Sequence, residues 1–233
     1  MVTKGDIVVS VIAPLIFTIG FFLPLKFVMK LQGIDYAQFV MAIIVLQTMA
    51  FTMNASASLA AFEVATGFTT RLQSMPVAAL VPLASRMSAG LFRSVITLAA
   101  AIGYGYMIGF RLQGGIGQTA LFCAFSLAVG TVLSLGADAL GMLSRSPQAV
   151  SQALTLPTLI FGMLSCGFVP ETGFPAWTRP FVRNQPVSQF SYALRDLTDA
   201  GVTWSVLWPG LIWLAALTVV LTPLAIWAST KRE

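Results

Sequence analysis

Of the 233 residues, 57% are hydrophobic and only 9% charged, against about a quarter charged in ordinary soluble domains, so a water-facing polar shell is excluded. A mean hydropathy of +0.86 requires lipid to cover much of the surface instead. The net charge of +5 is 13 Lys and Arg against 8 Asp and Glu; the basic residues are scattered, adjacent only at Lys231-Arg232, and no stripe among them could follow a row of phosphates, which argues against nucleic acid as a partner.

Charges divide the chain into six long uncharged stretches: 7–25, 36–62, 94–110, 112–137, 146–170 and 200–230. Each approaches or exceeds the roughly 20 apolar residues a helix needs to cross about 30 Å of hydrocarbon. They are continuously apolar, whereas spanning strands would alternate. The pattern predicts six transmembrane helices with cores near 7–26, 39–61, 90–110, 118–139, 152–169 and 205–228, in one domain covering 1–233. The first run follows Lys4 as a signal peptide would. It is long for that, no small-residue cleavage site follows, and Pro24-Leu25-Lys26 closes it, so it reads as a retained helix. An even number of spans places both termini on one side. If that side is the cytoplasm, the inner segments hold Lys4, Arg71, Arg86, Arg93, Arg145, Lys231 and Arg232, and six basic residues lie outside, a slight positive-inside bias.

After the second span, Glu63-Val-Ala-Thr-Gly67-Phe-Thr-Thr-Arg71-Leu-Gln-Ser-Met75-Pro76 breaks the membrane pattern, and Pro82 and Arg86 follow. Pro76 would stop or kink a short helix begun near Glu63. Two readings stand: an interfacial helix offered to a cytoplasmic partner over 62–76, or a plain loop with basic anchors. In the third span Gly105 and Gly109 are one turn apart, as are Ser126, Gly130 and Ser134 in the fourth. Such spacing lets helix backbones approach, within the chain or at a subunit interface. Asp138 is an acid inside a core helix, a functional suspect by position, hydrated or paired with Arg145 or Arg86.

The segment 170–200 holds prolines at 170, 175, 180 and 186, which forbid one continuous helix. Phe174, Trp177 and Phe181 nevertheless share a helical spacing, with Arg179 and Arg183 opposite, as a piece lying in the headgroup plane would show. The segment is either an extracytoplasmic loop or a half-inserted helical hairpin over a lipid pathway. After Pro186 a helix can resume and carry Arg195 and Asp196 towards the last span.

The chain has no histidine, and its two cysteines, Cys123 and Cys166, are far apart in apolar runs. No zinc motif, no Cys/His or Ser/His nucleophile pair and no disulfide framework follows from that inventory; the residues predict no catalytic, cofactor-binding or metal site. A GxxxxGK[ST] loop is also missing, so any ATP and magnesium would be bound by another polypeptide. No GxSxG elbow and no inverted repeat with broken helices is visible.

The order Glu63, Gly67, Arg71, Leu72, Met75-Pro76, then Arg86, resembles the coupling segment of ABC-2 type permeases. Further on, Gly167-Phe-Val-Pro170, Phe174-Pro175-x-Trp177, Pro180-Phe-Val-Arg-Asn184-Gln185-Pro186-Val-Ser188 and Ala193-Leu194-Arg195 resemble the signature after the fifth span of daunorubicin-resistance permeases. Arg71-x-Gln73-Ser-Met-Pro76 and Tyr106-Met-Ile-Gly-Phe-Arg111 are similar to the DrrB-like subunits of that family.

The resemblance implies an all-α integral membrane fold of the ABC-2, type V exporter kind, with an extracytoplasmic re-entrant hairpin before the last span. It implies an exporter subunit in the plasma membrane, with both termini cytoplasmic, and not an enzyme by itself. Its partners would be a separate DrrA-like ATPase, a second permease, DrrC-like or identical, and membrane lipids. Glu63, Gly67, Arg71, Met75, Pro76 and Arg86 would contact or serve the ATPase; Phe174, Trp177, Phe181, Asn184, Pro186 and Arg195 would line the re-entrant path. The implied cargo is an anthracycline-type drug or a phthiocerol dimycocerosate-type lipid. Other readings are a polysaccharide or teichoic-acid exporter of the same fold, an intramembrane lipid-modifying enzyme, and a structural scaffold. The family usually has a connector helix before its first span, where about six residues stand here, and many relatives run Asn directly into Pro where this chain has Gln185.

Overall fold

The fold is that of a computed structural model, which describes residues 4–31, 35–68, 71, 80–144, 146–199 and 201–230. Among these, all regular structure is helical. Helix α1 spans Lys4–Leu31, α2 Tyr36–Ala65, α3 Val81–Ile108, α4 Ile116–Met142 and α5 Pro147–Met163. A 3-10 turn at Glu171–Gly173 precedes α6, Arg179–Asn184, then α7, Pro186–Thr198, and α8, Trp204–Thr230.

Helix α2 is the axis of the bundle and packs on α1, α3, α4, α5 and α7. It starts where the Asp35 carboxylate accepts from the amide of Ala37 at 3.2 Å, a side-chain cap for amides that have no partner in the first turn. It ends at Gly67, whose φ of +69° is the left-handed turn that closes many helices. The α2–α4 contact depends on small residues. A side chain at Gly130 would meet Met49 Sδ at 2.7 Å, and one at Gly141 would fall on the Ala57 carbonyl. Ser126, Gly130 and Ser134 therefore serve packing within the chain. The other predicted pair divides: Gly105 is buried against Met41 and Phe110, whereas Gly109 is the exposed left-handed cap of α3 at φ +103°.

Four of these helices, α2, α3, α4 and α8, are long and apolar enough to cross a membrane, against the six expected. Helix α1 carries a shorter apolar run, Val8–Pro24. Helix α5 has 17 residues and stops at Met163, although apolar residues continue. The stop is local. The Ser165 hydroxyl donates back to the Gly162 carbonyl at 2.6 Å, and the chain then turns across α2, where a Gly167 side chain would strike Ile43. Helix α3 begins about nine residues before the predicted 90, because Pro82 is tolerated in a first turn and Arg86 is ion-paired, so its charge does not end the helix.

Candidate functional site

At one end of the bundle, the C-terminal ends of α2 and α4 meet the start of α3 around Arg86. Its guanidinium donates through Nε to Asp138 Oδ1 at 2.7 Å and through Nη2 to Oδ2 at 3.0 Å, a two-pronged pair. Nη1 donates to Glu63 Oε2 at 3.1 Å. Arg86 is 7% exposed and Asp138 fully buried, so neither charge survives there without the other. Of the two partners offered for Asp138, Arg86 is paired with it, and Arg145 lies outside the described residues. Glu63, expected at the surface of the coupling segment, is instead part of this buried triad, with 19% of its side chain exposed. Arg71 is exposed and helical, its amide bonded to the Gly67 carbonyl at 3.2 Å. Met75 and Pro76 lie outside the described residues.

At the opposite end the residues around 161–199 form a compact corner. Arg195 on α7 donates to three backbone carbonyls: Phe39 at 2.9 Å, Cys166 at 2.9 Å and Gly167 at 2.7 Å. Its guanidinium also lies 3.6 Å from the centre of the Phe39 ring, a cation–π contact that desolvation strengthens. Gln185 donates to the carbonyls of Phe161, at 3.2 Å, and Leu164, and the Ser188 hydroxyl accepts from the Cys166 amide at 3.0 Å. Gln185 and Arg195 thus satisfy carbonyls left open where α5 stops and the chain turns, and Ser188 satisfies an amide just beyond it. Asn184 bonds back to the Pro180 carbonyl at 2.9 Å, and its own carbonyl accepts from the Trp213 indole at 3.0 Å, tying α6 to α8. Pro186 opens α7 in its first turn, where the missing N–H has no partner to lose. Just past α7, burial and the nearby Asp196 carboxylate push the Asp199 carboxyl up.

The aromatic stripe is arranged differently from the single helical face expected. Phe174 is in extended backbone, at φ −96° and ψ 150°, so it does not share a helix with Phe181. Prolines 175 and 180 break the run, and Arg179 holds the break by donating to the Phe174 carbonyl at 2.9 Å. Trp177 (84% exposed) and Phe181 remain on the outside. Sequence reasoning did not find Gln185 and Ser188 as partners for the end of α5. A polar pair three residues apart, on either side of Pro186, was the available signal.

Residues 4–198 match the family described as ABC-2 type transporter. The doxorubicin resistance ABC transporter permease protein DrrB of Mycobacterium tuberculosis is 39% identical over 232 residues, 94% of this chain and 80% of that protein. The probable permease DrrC of the same organism is 29% identical over 69% of this chain and 58% of its own length. A daunorubicin resistance permease, DrrB1 of Streptomyces coeruleorubidus, is 26% identical over 70% of this chain and 58% of its own. No solved structure matches at a significant level.

Proposed function

The chain belongs to the ABC-2 type transporter family, and we propose that it is one permease subunit of an exporter moving an amphiphilic drug outward across the plasma membrane. Its relatives are permeases, not enzymes in themselves; in this reading ATP and magnesium are bound by a separate DrrA-like subunit. The similarity to both DrrB and DrrC supports a second permease beside it, identical or related. The cargo we infer is of the anthracycline type borne in the relatives' names, with waxy envelope lipids as a second class the lipid-facing surface would suit.

In this reading α1 and α5 complete six spans of one domain over 1–233, and the 170–200 corner is a re-entrant hairpin in the outer leaflet. The Arg86 end faces the cytoplasm, together with both termini. Segment 62–76 meets the ATPase, with Arg71, Met75 and Pro76 at the contact and Gly67 as the turn that aims it. Glu63 and Arg86 pass its displacement to α4 through Asp138. A push on this segment shifts the transporter between states only by contacts that differ between them, and the triad supplies such contacts. Phe174, Trp177, Phe181, Asn184, Pro186 and Arg195 shape the exit.

The observation that carries the proposal is the buried Glu63–Arg86–Asp138 triad at the root of a segment whose sequence follows the coupling pattern, in a chain 39% identical to a drug-resistance permease. The test is co-expression with a DrrA-like ATPase, followed by pull-down and doxorubicin efflux from inverted vesicles. Arg71→Ala should leave the complex assembled and ATP hydrolysis running while efflux falls at least tenfold. Transport by the permease without any ATPase, or full efflux by Arg71→Ala, would sink it.

A further inference from the structure

We propose that a cavity inside this single subunit binds an apolar molecule that carries an oxygen function within its body, a carbonyl or hydroxyl held by Gln47. The cavity measures about 260 Å³ and lies between α2, α4, α5, α7 and α8. Its walls include Leu46, Ala50, Val129, Leu133, Phe161 and Phe190, and the α6–α7 corner closes it at Pro186. Two polar side chains reach it. The Thr158 hydroxyl is already used, donating to the Leu154 carbonyl at 2.7 Å. Gln47 is only 7% exposed, and among the described residues its amide has no hydrogen-bond partner.

An unpaired amide that faces an apolar cavity at membrane depth is unfavourable, and in a wall of this composition it marks the place where a ligand oxygen belongs. Gly162 keeps that place open: a side chain there would stand 3.2 Å from Gln47 Nε2. Depth narrows the ligand further. Gln47 lies roughly 17 Å along α2 from Tyr36 at about 1.5 Å per residue, near the middle of a hydrocarbon layer about 30 Å thick. The ester groups of ordinary glycerolipids stay at the headgroup boundary and do not reach it. A chain or fused ring oxygenated in its interior does, and because an amide both donates and accepts, carbonyl and hydroxyl are both matched. The route in is lateral, past α5, whose Leu156, Leu159 and Ile160 are exposed.

Only the assignment of this ligand as cargo rests on the exporter reading; binding itself is measured without ATP, so the two fail separately. The complete transporter in lipid nanodiscs is titrated with radiolabelled stearate and a mid-chain hydroxystearate. The hydroxylated probe should bind about fivefold more tightly, the gain from one net hydrogen bond. Gln47→Leu should erase that preference while keeping stearate binding. Ala50→Leu, which fills the cavity, should weaken both probes about tenfold; if it does not fold, Leu154→Phe from the peripheral α5 gives the same reading. Equal affinities in the unaltered protein, a preference surviving Gln47→Leu, or undiminished binding with the cavity filled would each overturn the assignment.

Discussion

Arg86 and Arg195 sit at opposite ends of one bundle and are accommodated by opposite means. Arg86 meets two carboxylates, Glu63 and Asp138, drawn from two other helices. Among the described residues Arg195 meets no acid within bonding distance; it is surrounded by the carbonyls of Phe39, Cys166 and Gly167 and by an aromatic face. The first arrangement is a contest of full charges, where loss of one partner leaves another stranded. The second is a cap on irregular backbone, where the charge strengthens bonds to dipoles. One end is therefore built so that small displacements change the energy steeply, and the other so that a corner keeps its shape. That is the asymmetry the proposed coupling role requires.

The steepest test is Asp138→Ala. With half its compensation gone, buried Arg86 should lower stability by about 3 kcal/mol, measured by chemical unfolding in detergent. Replacing the most buried pair, Arg86→Met with Asp138→Leu, should restore most of that loss, since well-packed apolar pairs commonly match buried ion pairs and Glu63, at 19% exposure, can turn to water. Efflux should remain lost. If the double variant also transports, the triad holds helices together and transmits nothing. At the other end, Arg195→Lys should cost about 2 kcal/mol, because one ammonium cannot serve three carbonyls and stack on Phe39. The damage should stay local: Cys166, fully buried, should become reactive to maleimide in a Cys123→Ala background. Continued protection of Cys166 would mean that Gln185 and Ser188 hold the corner without Arg195.

A smaller effect separates the two acids of the triad. Glu63→Gln keeps a hydrogen-bond acceptor for Arg86 Nη1 and leaves Asp138 in place, so stability should fall by about 1 kcal/mol or less. Coupled transport should fall further than that number implies if Glu63 links the 62–76 segment to the bundle. Parallel losses would assign it to stability alone.

The sequence made the spans and the conspicuous charges legible, and missed how they meet. Apolar length located α2, α4 and α8 to within a few residues, because lipid and core favour the same composition. It placed the start of α3 too late, since Arg86 reads as a loop charge until its partners are known. It ran the fifth span past Met163, because the turn at 164–168 is as apolar as a helix and is stabilised by Arg195, Gln185 and Ser188 from later in the chain. Prolines showed where the 170–200 segment breaks, but helical spacing of Phe174, Trp177 and Phe181 suggested a continuity those prolines deny. Gln47 was invisible as anything but a tolerated amide. Its meaning depends on which residues fail to face it, and no periodicity encodes that.

The weakest energetic effect bears on the largest architectural question. Trp177 projects from the corner at 84% exposure, so Trp177→Ala should change stability by less than about 0.5 kcal/mol. Trp213 provides the contrast: its indole donates to the Asn184 carbonyl, and Trp213→Phe should cost about 1 kcal/mol through that one bond. What Trp177 can report is the medium around it. With the other four tryptophans replaced by Phe, its fluorescence should be quenched by lipids brominated near the headgroup and be shielded from iodide, because an indole prefers the membrane interface. Strong iodide quenching without bromine quenching would put the corner in water, where it would cap the bundle from outside the bilayer and not as a re-entrant hairpin.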